Sequence, residues 1–152
     1  GFTDSLRKWP LIAERRVKVS VLGHWYNLPG RLVDNIKALM EDTKDHASFH
    51  LNLCLNYDGR QEIVDAAKII GRQVKAGKLD PESITIDTMK ESIYWSSAPP
   101  NIIVKTGTNN ILAGFMLWDS SHASIHITGA PWQYFTEDAL EIILRSHESG
   151  TS

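Results

Sequence analysis

Cysteine is nearly absent. Cys54 is the only one in 152 residues, which excludes an intrachain disulfide and a cysteine-cluster metal site. Long apolar runs are absent too, and nothing approaches the ~20 residues that a membrane-spanning helix needs. Neither sign of charge dominates, since 16 Lys and Arg face 18 Asp and Glu for a net charge of −2. That balance leaves no electrostatic footprint for nucleic acid. No cationic and apolar signal segment opens the sequence, so a soluble or peripheral protein of an intracellular or organellar compartment is expected rather than a secreted precursor. Repeats, low-complexity tracts and linkers are also missing. What remains is globular in composition, with 42% hydrophobic and 22% charged residues and Trp at five positions. The length suits one domain, and residues 1–152 are expected to form a single α/β domain.

Hydrophobic periodicity lays out the elements. A first helix is predicted from a Thr3 or Asp4 cap through Leu6, Trp9, Leu11 and Ile12, with Pro10 in its early turns. Val17 to Gly23 alternates apolar and polar and stops at glycine, which predicts a strand. Leu32, Val33, Ile36, Leu39 and Met40 place an amphipathic helix over about 30–45. Phe49, Leu51, Leu53 and Leu55 alternate with His50, Asn52, Cys54 and Asn56 in the clearest strand of the chain. After the turn Asn56-Tyr57-Asp58-Gly59-Arg60, residues Ile63, Ala66, Ala67, Ile70 and Val74 recur at helical spacing, with Gly77 at the end. Asp87 is expected to cap a short helix carrying Met89, Ile93 and Tyr94. Asn101–Gly107 and Ala123–Thr128 read as strands, and Phe115–Trp118 as a buried apolar run. Thr136 is expected to cap a last helix that frays from His147.

Strands alternating with helices predict βαβ crossovers and a mostly parallel sheet flanked by helices. Ligands of such sheets bind beyond the carboxyl ends of the strands. Here those ends are Gly23-His24-Trp25, Asn56 to Arg60, Lys105-Thr106-Gly107 and Thr128-Gly129. Their lysine, arginine, threonine and glycine suit an anion such as a phosphate, and also suit ordinary turns.

The run Asn52-Leu53-Cys54-Leu55-Asn56-Tyr57-Asp58-Gly59-Arg60-Gln61-Glu62-Ile63-Val64 resembles the cis-prenyltransferases, the undecaprenyl and dehydrodolichyl diphosphate synthases. The resemblance continues in collinear blocks at Pro100–Gly107, Phe115–Trp118, Ala123–Thr128 and Trp132–Phe135. It implies a truncated cis-prenyltransferase fold matching the later part of that domain. It implies a chemistry in which an allylic diphosphate ionises and isopentenyl diphosphate attacks. Diphosphate clamps and magnesium would stabilise the leaving group.

Several positions depart from the family pattern. The family's Met-Asp-Gly-Asn-Gly-Arg segment has no counterpart here. Lys105 stands for an arginine, keeping the charge and losing the bidentate fork. Thr108 and Asn109 replace Gly and Glu, Ile111 replaces a second arginine, and Ala113 a serine. Ser124 occupies the place of the metal-binding glutamate, so no resident magnesium is expected. Lys105, Thr106, Gly107 and Asn109 are therefore read as a vestigial diphosphate-binding set, and Arg60 as an anion or interface contact. Asp58 reads as a turn residue, Cys54 as a small buried hydrophobe, and His122 and His126 as too far apart on a strand for one ion. His24, His46 and His50 are expected to face solvent or bond locally, and Trp118 and Trp132 to fill family core positions.

The function that follows is a cis-prenyltransferase-family chain, catalytically silent by itself, that acts as a structural or partner subunit. Two alternatives stand beside it. One is an active polyprenyl diphosphate synthase part, completed by another chain or a missing segment. The other is a small α/β module that binds a phosphorylated ligand. A protein partner or homo-oligomer is expected, with an isoprenoid diphosphate as the small molecule.

Overall fold

A computed structural model describes residues 2–109 and 111–150. The chain divides after Trp95 into two compact units.

The first unit opens with two short helices, α1 (Phe2–Arg7) and α2 (Pro10–Glu14), where the periodicity predicts one. The break is Trp9, held extended (φ −72°, ψ 118°) by the ring of Pro10, which disfavours helical geometry in the residue before it. Strand β1 (Val17–Leu22) follows, then helix α3 (Gly30–Asp42), strand β2 (Phe49–Cys54), helix α4 (Gly59–Lys75) and helix α5 (Ile86–Ser92). Strands β1 and β2 run parallel, with Val17 opposite Phe49 and Leu22 opposite Cys54. The helical crossover through α3 makes that pairing accessible. One face of the pair carries Val17, Val19, Leu51 and Leu53 against Leu6, Ile12 and Leu39, and this is the core of the unit. Ile36 and Leu39, three residues apart on α3, are fully buried.

Thr85, not Asp87, caps α5. Its hydroxyl accepts from the Thr88 N–H while the Thr88 hydroxyl accepts from the Thr85 N–H, a reciprocal box that an aspartate inside the first turn does not offer. At the end of α4, Ala76 is the cap and Gly77 follows with φ +67°, the left-handed geometry that glycine adopts without strain.

The second unit contains β3 (Ile102–Thr106), β4 (Ser124–Thr128) and helix α6 (Glu137–Gly150), with single helical turns at Asp119–His122 and Trp132–Tyr134. Strands β3 and β4 are again parallel, with Ile102 opposite Ser124 and Thr106 opposite Thr128. The Thr136 hydroxyl accepts from the Ala139 N–H, the predicted cap. Helix α6 does not fray at His147 but continues to Gly150, where the Ser146 and Ser149 hydroxyls return to carbonyls one turn back. Phe115 and Leu117 are exposed rather than buried, because their segment forms turns and presents no single face to a core. Trp132 is 73% exposed and stacks on Phe135, so it does not fill a core position in this unit. Asn110 and residues 151–152 lie outside the described residues.

Candidate functional site

Each unit gathers polar chemistry at the carboxyl ends of its own strands. In the second unit, β3 delivers Lys105 and Thr106 and then turns at Gly107. Gly107 has φ +98°, and its N–H donates to the Ala130 carbonyl at 2.8 Å, tying the exit of β3 to that of β4. The Lys105 ammonium folds onto the neighbouring Thr106 carbonyl at 2.5 Å. Asn109 lies exposed just beyond. Lys105, Thr106 and Gly107 are thus adjacent at one strand end, as the sequence reading places them.

Ser124 is not with them. It begins β4 opposite Ile102, four residues from the Thr106 end, which at the ~3.3 Å rise of a strand is about 13 Å away along the sheet. Its hydroxyl pairs with His147 Nδ1 of α6 at 3.1 Å. A hydroxyl beside an imidazole does not fit magnesium, which takes hard oxygen ligands and carboxylates in near-octahedral order. Among the described residues no group of three or more His, Cys, Asp or Glu gathers to hold a metal ion. His122 sits in the turn before β4 and His126 within it, where His126 Nε2 is buried without a hydrogen bond among the described residues.

The first unit holds a denser arrangement. Asp58 caps α4, accepting from the Arg60 N–H at 2.8 Å, and its carboxylate pairs with the Arg60 guanidinium at 3.2 Å. That guanidinium contact and the backbone N–H hold the Asp58 carboxyl below its ordinary range. Asp58 is a turn residue and Arg60 its exposed partner.

Behind this turn, α4 presents two carboxylates that the sequence reading missed. Glu62 is buried, with Oε2 accepting from the Tyr57 hydroxyl at 2.6 Å and Oε1 from the Tyr94 N–H at 3.0 Å. Asp65 Oδ2 takes the Tyr94 hydroxyl and His24 Nε2, both at 2.6 Å, while Oδ1 takes Gln61 at 3.0 Å and Lys68 at 3.2 Å. His24 is therefore neither solvent-facing nor locally bonded, since it reaches a residue 41 positions away. The Tyr94 hydroxyl, followed by His24, Gln61 and Lys68, drives the Asp65 carboxyl well below its usual range against the opposing effect of burial. Burial and the Asp65 charge push the Tyr94 phenol up in turn. Nearby on β2, burial and the Glu62 charge push the Cys54 thiol up to about 11, leaving a protonated, unreactive sulfur. Spacing offered one clue to Glu62: it stands four residues before Ala66 and eight before Ile70, on the buried stripe of α4.

The chemistry of this cluster is fastening. Both carboxylates are saturated by donors from three separate stretches of chain, around His24, Tyr57 and Tyr94. The β1 exit is fixed further where the Asn56 amide donates to the His24 carbonyl at 3.1 Å. Among the described residues no helix is long and apolar enough to cross a membrane.

A family profile described as putative undecaprenyl diphosphate synthase matches residues 3–151. A tritrans,polycis-undecaprenyl-diphosphate synthase (geranylgeranyl-diphosphate specific) of Thermoplasma volcanium is 31% identical over 134 residues, 88% of this chain and 52% of that protein. An isoprenyl transferase of Prochlorococcus marinus is 34% identical over 134 residues, 88% of this chain and 50% of the relative. The crystal structure of lavandulyl diphosphate synthase from Lavandula x intermedia, in complex with dimethylallyl diphosphate, superposes with a TM-score of 0.90 at 25% identity, covering 96% of this chain and 63% of that one. The chain spans about half the length of the curated relatives it matches.

Proposed function

We propose a function from one premise, that the chain belongs to the undecaprenyl diphosphate synthase-like family of cis-prenyltransferases: it serves that family's chemistry as a structural or partner subunit and does not turn over by itself. The observation that carries this reading is Ser124. Where the family resemblance calls for a metal-binding carboxylate, a hydroxyl stands engaged with His147. Lys105 supports the same reading. A point charge replaces the planar fork that would grip a diphosphate, and it is spent on the Thr106 carbonyl. Arg60, the other cation of the expected anion set, is occupied by Asp58.

An isopentenyl-transfer assay tests the proposal. Radiolabelled isopentenyl diphosphate is supplied with dimethylallyl or geranylgeranyl diphosphate, the allylic compounds that the relatives' names carry. The expected result is no incorporation by the isolated chain. Magnesium-dependent turnover by the chain alone would overturn the reading. A second reading, an active synthase part completed by other residues, draws on the half-length match to the relatives. Under it, adding the complementary portion restores turnover, and Ser124→Glu raises it further. Under the subunit reading, turnover in the mixture follows the partner and is indifferent to Ser124→Glu.

A further inference from the structure

The near-balance of charge over the whole chain hides an uneven surface. On α3 the signs are interspersed, with Arg31, Asp34, Lys37 and Glu41 all exposed. Helix α4 sorts them. Its two carboxylates, Glu62 and Asp65, turn inward to Tyr57, Tyr94 and His24. Its outward face carries Val64, Lys68, Gly71 and Lys75, whose spacing of four, three and four residues makes one straight stripe. Arg72 stands beside the stripe, one turn from each lysine, and Lys78 follows in the exposed turn after the helix. Lys68 leans on Asp65 yet stays 58% exposed. The side chains of Arg72, Lys75 and Lys78 make no ion pair or hydrogen bond among the described residues. Lys68 and Lys75 stand about 10 Å apart along the axis, close to the ~8 Å Debye length at physiological salt, so their fields add at a facing surface. A second observation lies in the connector that leaves this end of α4. It carries Ile84, 43% exposed, and Ile86, 75% exposed and the most exposed large apolar side chain among the described residues. The dipole of α4 accounts for cations in its last turn. It does not account for Lys68, two turns upstream of Lys75, or for isoleucines left in water.

We propose that the cationic face of α4, together with the connector through Ile84 and Ile86, is a docking surface for an anionic lipid bilayer. The two halves of the surface select that partner between them. Cations attract any polyanion, but exposed isoleucines gain only where an apolar layer lies beneath the charge. A bilayer offers that order, with head-group phosphates above hydrocarbon, and a nucleic acid backbone does not. Lys68, Arg72, Lys75 and Lys78 meet the phosphates, while Ile84 and Ile86 reach the boundary of the acyl chains. Each basic side chain near an anionic surface multiplies partitioning about fivefold, so the contact is reversible and weakens with salt. This inference goes beyond the subunit reading and holds whether or not the chain takes part in turnover.

Co-sedimentation of the purified chain with vesicles reads the outcome. The vesicles are phosphatidylcholine alone, or phosphatidylcholine and phosphatidylglycerol in equal parts. The expected result is partitioning onto the mixed vesicles only, falling as sodium chloride is raised. Arg72→Gln, Lys75→Gln and Lys78→Gln together should weaken it about 100-fold. The same charge change elsewhere, Lys8→Gln, Arg31→Gln and Lys37→Gln, should weaken it less than about fivefold. Ile86→Ser should cost about tenfold and leave the salt dependence as it was. Unchanged far-UV circular dichroism shows that each variant is folded. Equal partitioning onto phosphatidylcholine alone, a loss in the control triple as large as in the α4 triple, or wild-type binding by Ile86→Ser would each overturn the proposal. So would capture on polyuridylate beads as strong as on the mixed vesicles, which would make the partner a nucleic acid. If the α4 triple does not fold, Ile86→Ser and the salt series on the wild-type chain decide.

Discussion

Replacing Thr43 with valine removes one oxygen and almost nothing else, yet that oxygen serves two buried groups. It accepts from the Val19 N–H at 3.1 Å and donates to the Leu39 carbonyl at 2.9 Å. The Thr43 N–H itself turns to the Glu41 carbonyl as α3 ends, so the hydroxyl is what answers the Leu39 carbonyl. Val19, Leu39 and Thr43 are each at most 2% exposed, so water does not replace the lost partner. A buried polar group left unpaired costs about 1–3 kcal/mol, and there are two of them, against roughly 0.8 kcal/mol recovered by burying the added methyl. The expected net loss is about 1–5 kcal/mol, a large share of the ~5–15 kcal/mol that holds a typical domain together. Thr43→Ser keeps the oxygen and gives up a methyl, for a loss of about 1 kcal/mol. Urea unfolding followed by far-UV circular dichroism separates the two variants by midpoint at constant slope. If valine proves no worse than serine, the hydroxyl bridge is not what joins α3 to β1, and the reasoning fails.

Other outcomes follow from the same geometry. Gly23→Ala would place a Cβ 2.6 Å from the Leu55 carbonyl at a φ of +95°, and a loss of roughly 2–4 kcal/mol is expected. Gly71→Ala, in mid-helix with nothing within 4 Å, should instead gain about 0.5–1 kcal/mol; equal midpoints for the two alanine variants would refute the account. The Asp65 carboxyl is held below its ordinary 3.8 in the folded chain, so its contribution is present at neutral pH and is lost as pH falls below that ordinary value. Asp65→Asn should cost roughly 1–3 kcal/mol at neutral pH and flatten the acid limb of the stability curve. Unfolding curves measured down the acid range that stay parallel in the two proteins would contradict this.

Strands were the most legible part of the fold. Alternation from Phe49 to Leu55 and from Val17 to Leu22 survives as β2 and β1 because each has one apolar face on the core and one polar face. The parallel pairing was legible through the helices between strands. The break at Trp9 was not, because the apolar period runs through it while Pro10 acts on the backbone of its neighbour. Asp87 reads as the cap because aspartate is a strong cap by residue type, whereas the reciprocal contact of Thr85 with Thr88 needs coordinates to be seen. At the strand ends, Lys105, Thr106 and Gly107 fall where β3 stops, as the apolar run ending in glycine predicts, while the start of β4 at Ser124 opposite Ile102 needs the register to be seen. The Glu62 and Asp65 cluster escaped because carboxylates on a helix are usually solvated. Two of the four donors to Asp65, His24 and Tyr94, come from 41 and 29 residues away, a distance at which no local pattern carries information.

That cluster bears on how the chain tolerates change in length. From Ala76 to Thr85 the backbone wanders through largely exposed residues before Tyr94 brings it back, by its N–H to Glu62 and its hydroxyl to Asp65. The return point is fastened, so the path between is free. Doubling such a loop adds only ~0.6 kcal/mol of closure entropy, and insertions or deletions between Gly77 and Ser83 are nearly neutral as long as Tyr94 arrives. The opposite holds at Tyr57, whose hydroxyl meets Glu62 only five positions on. A single residue gained or lost there would pull the phenol off its carboxylate. Drift in this family member should therefore collect on the far side of α4 and stop abruptly at its first turn.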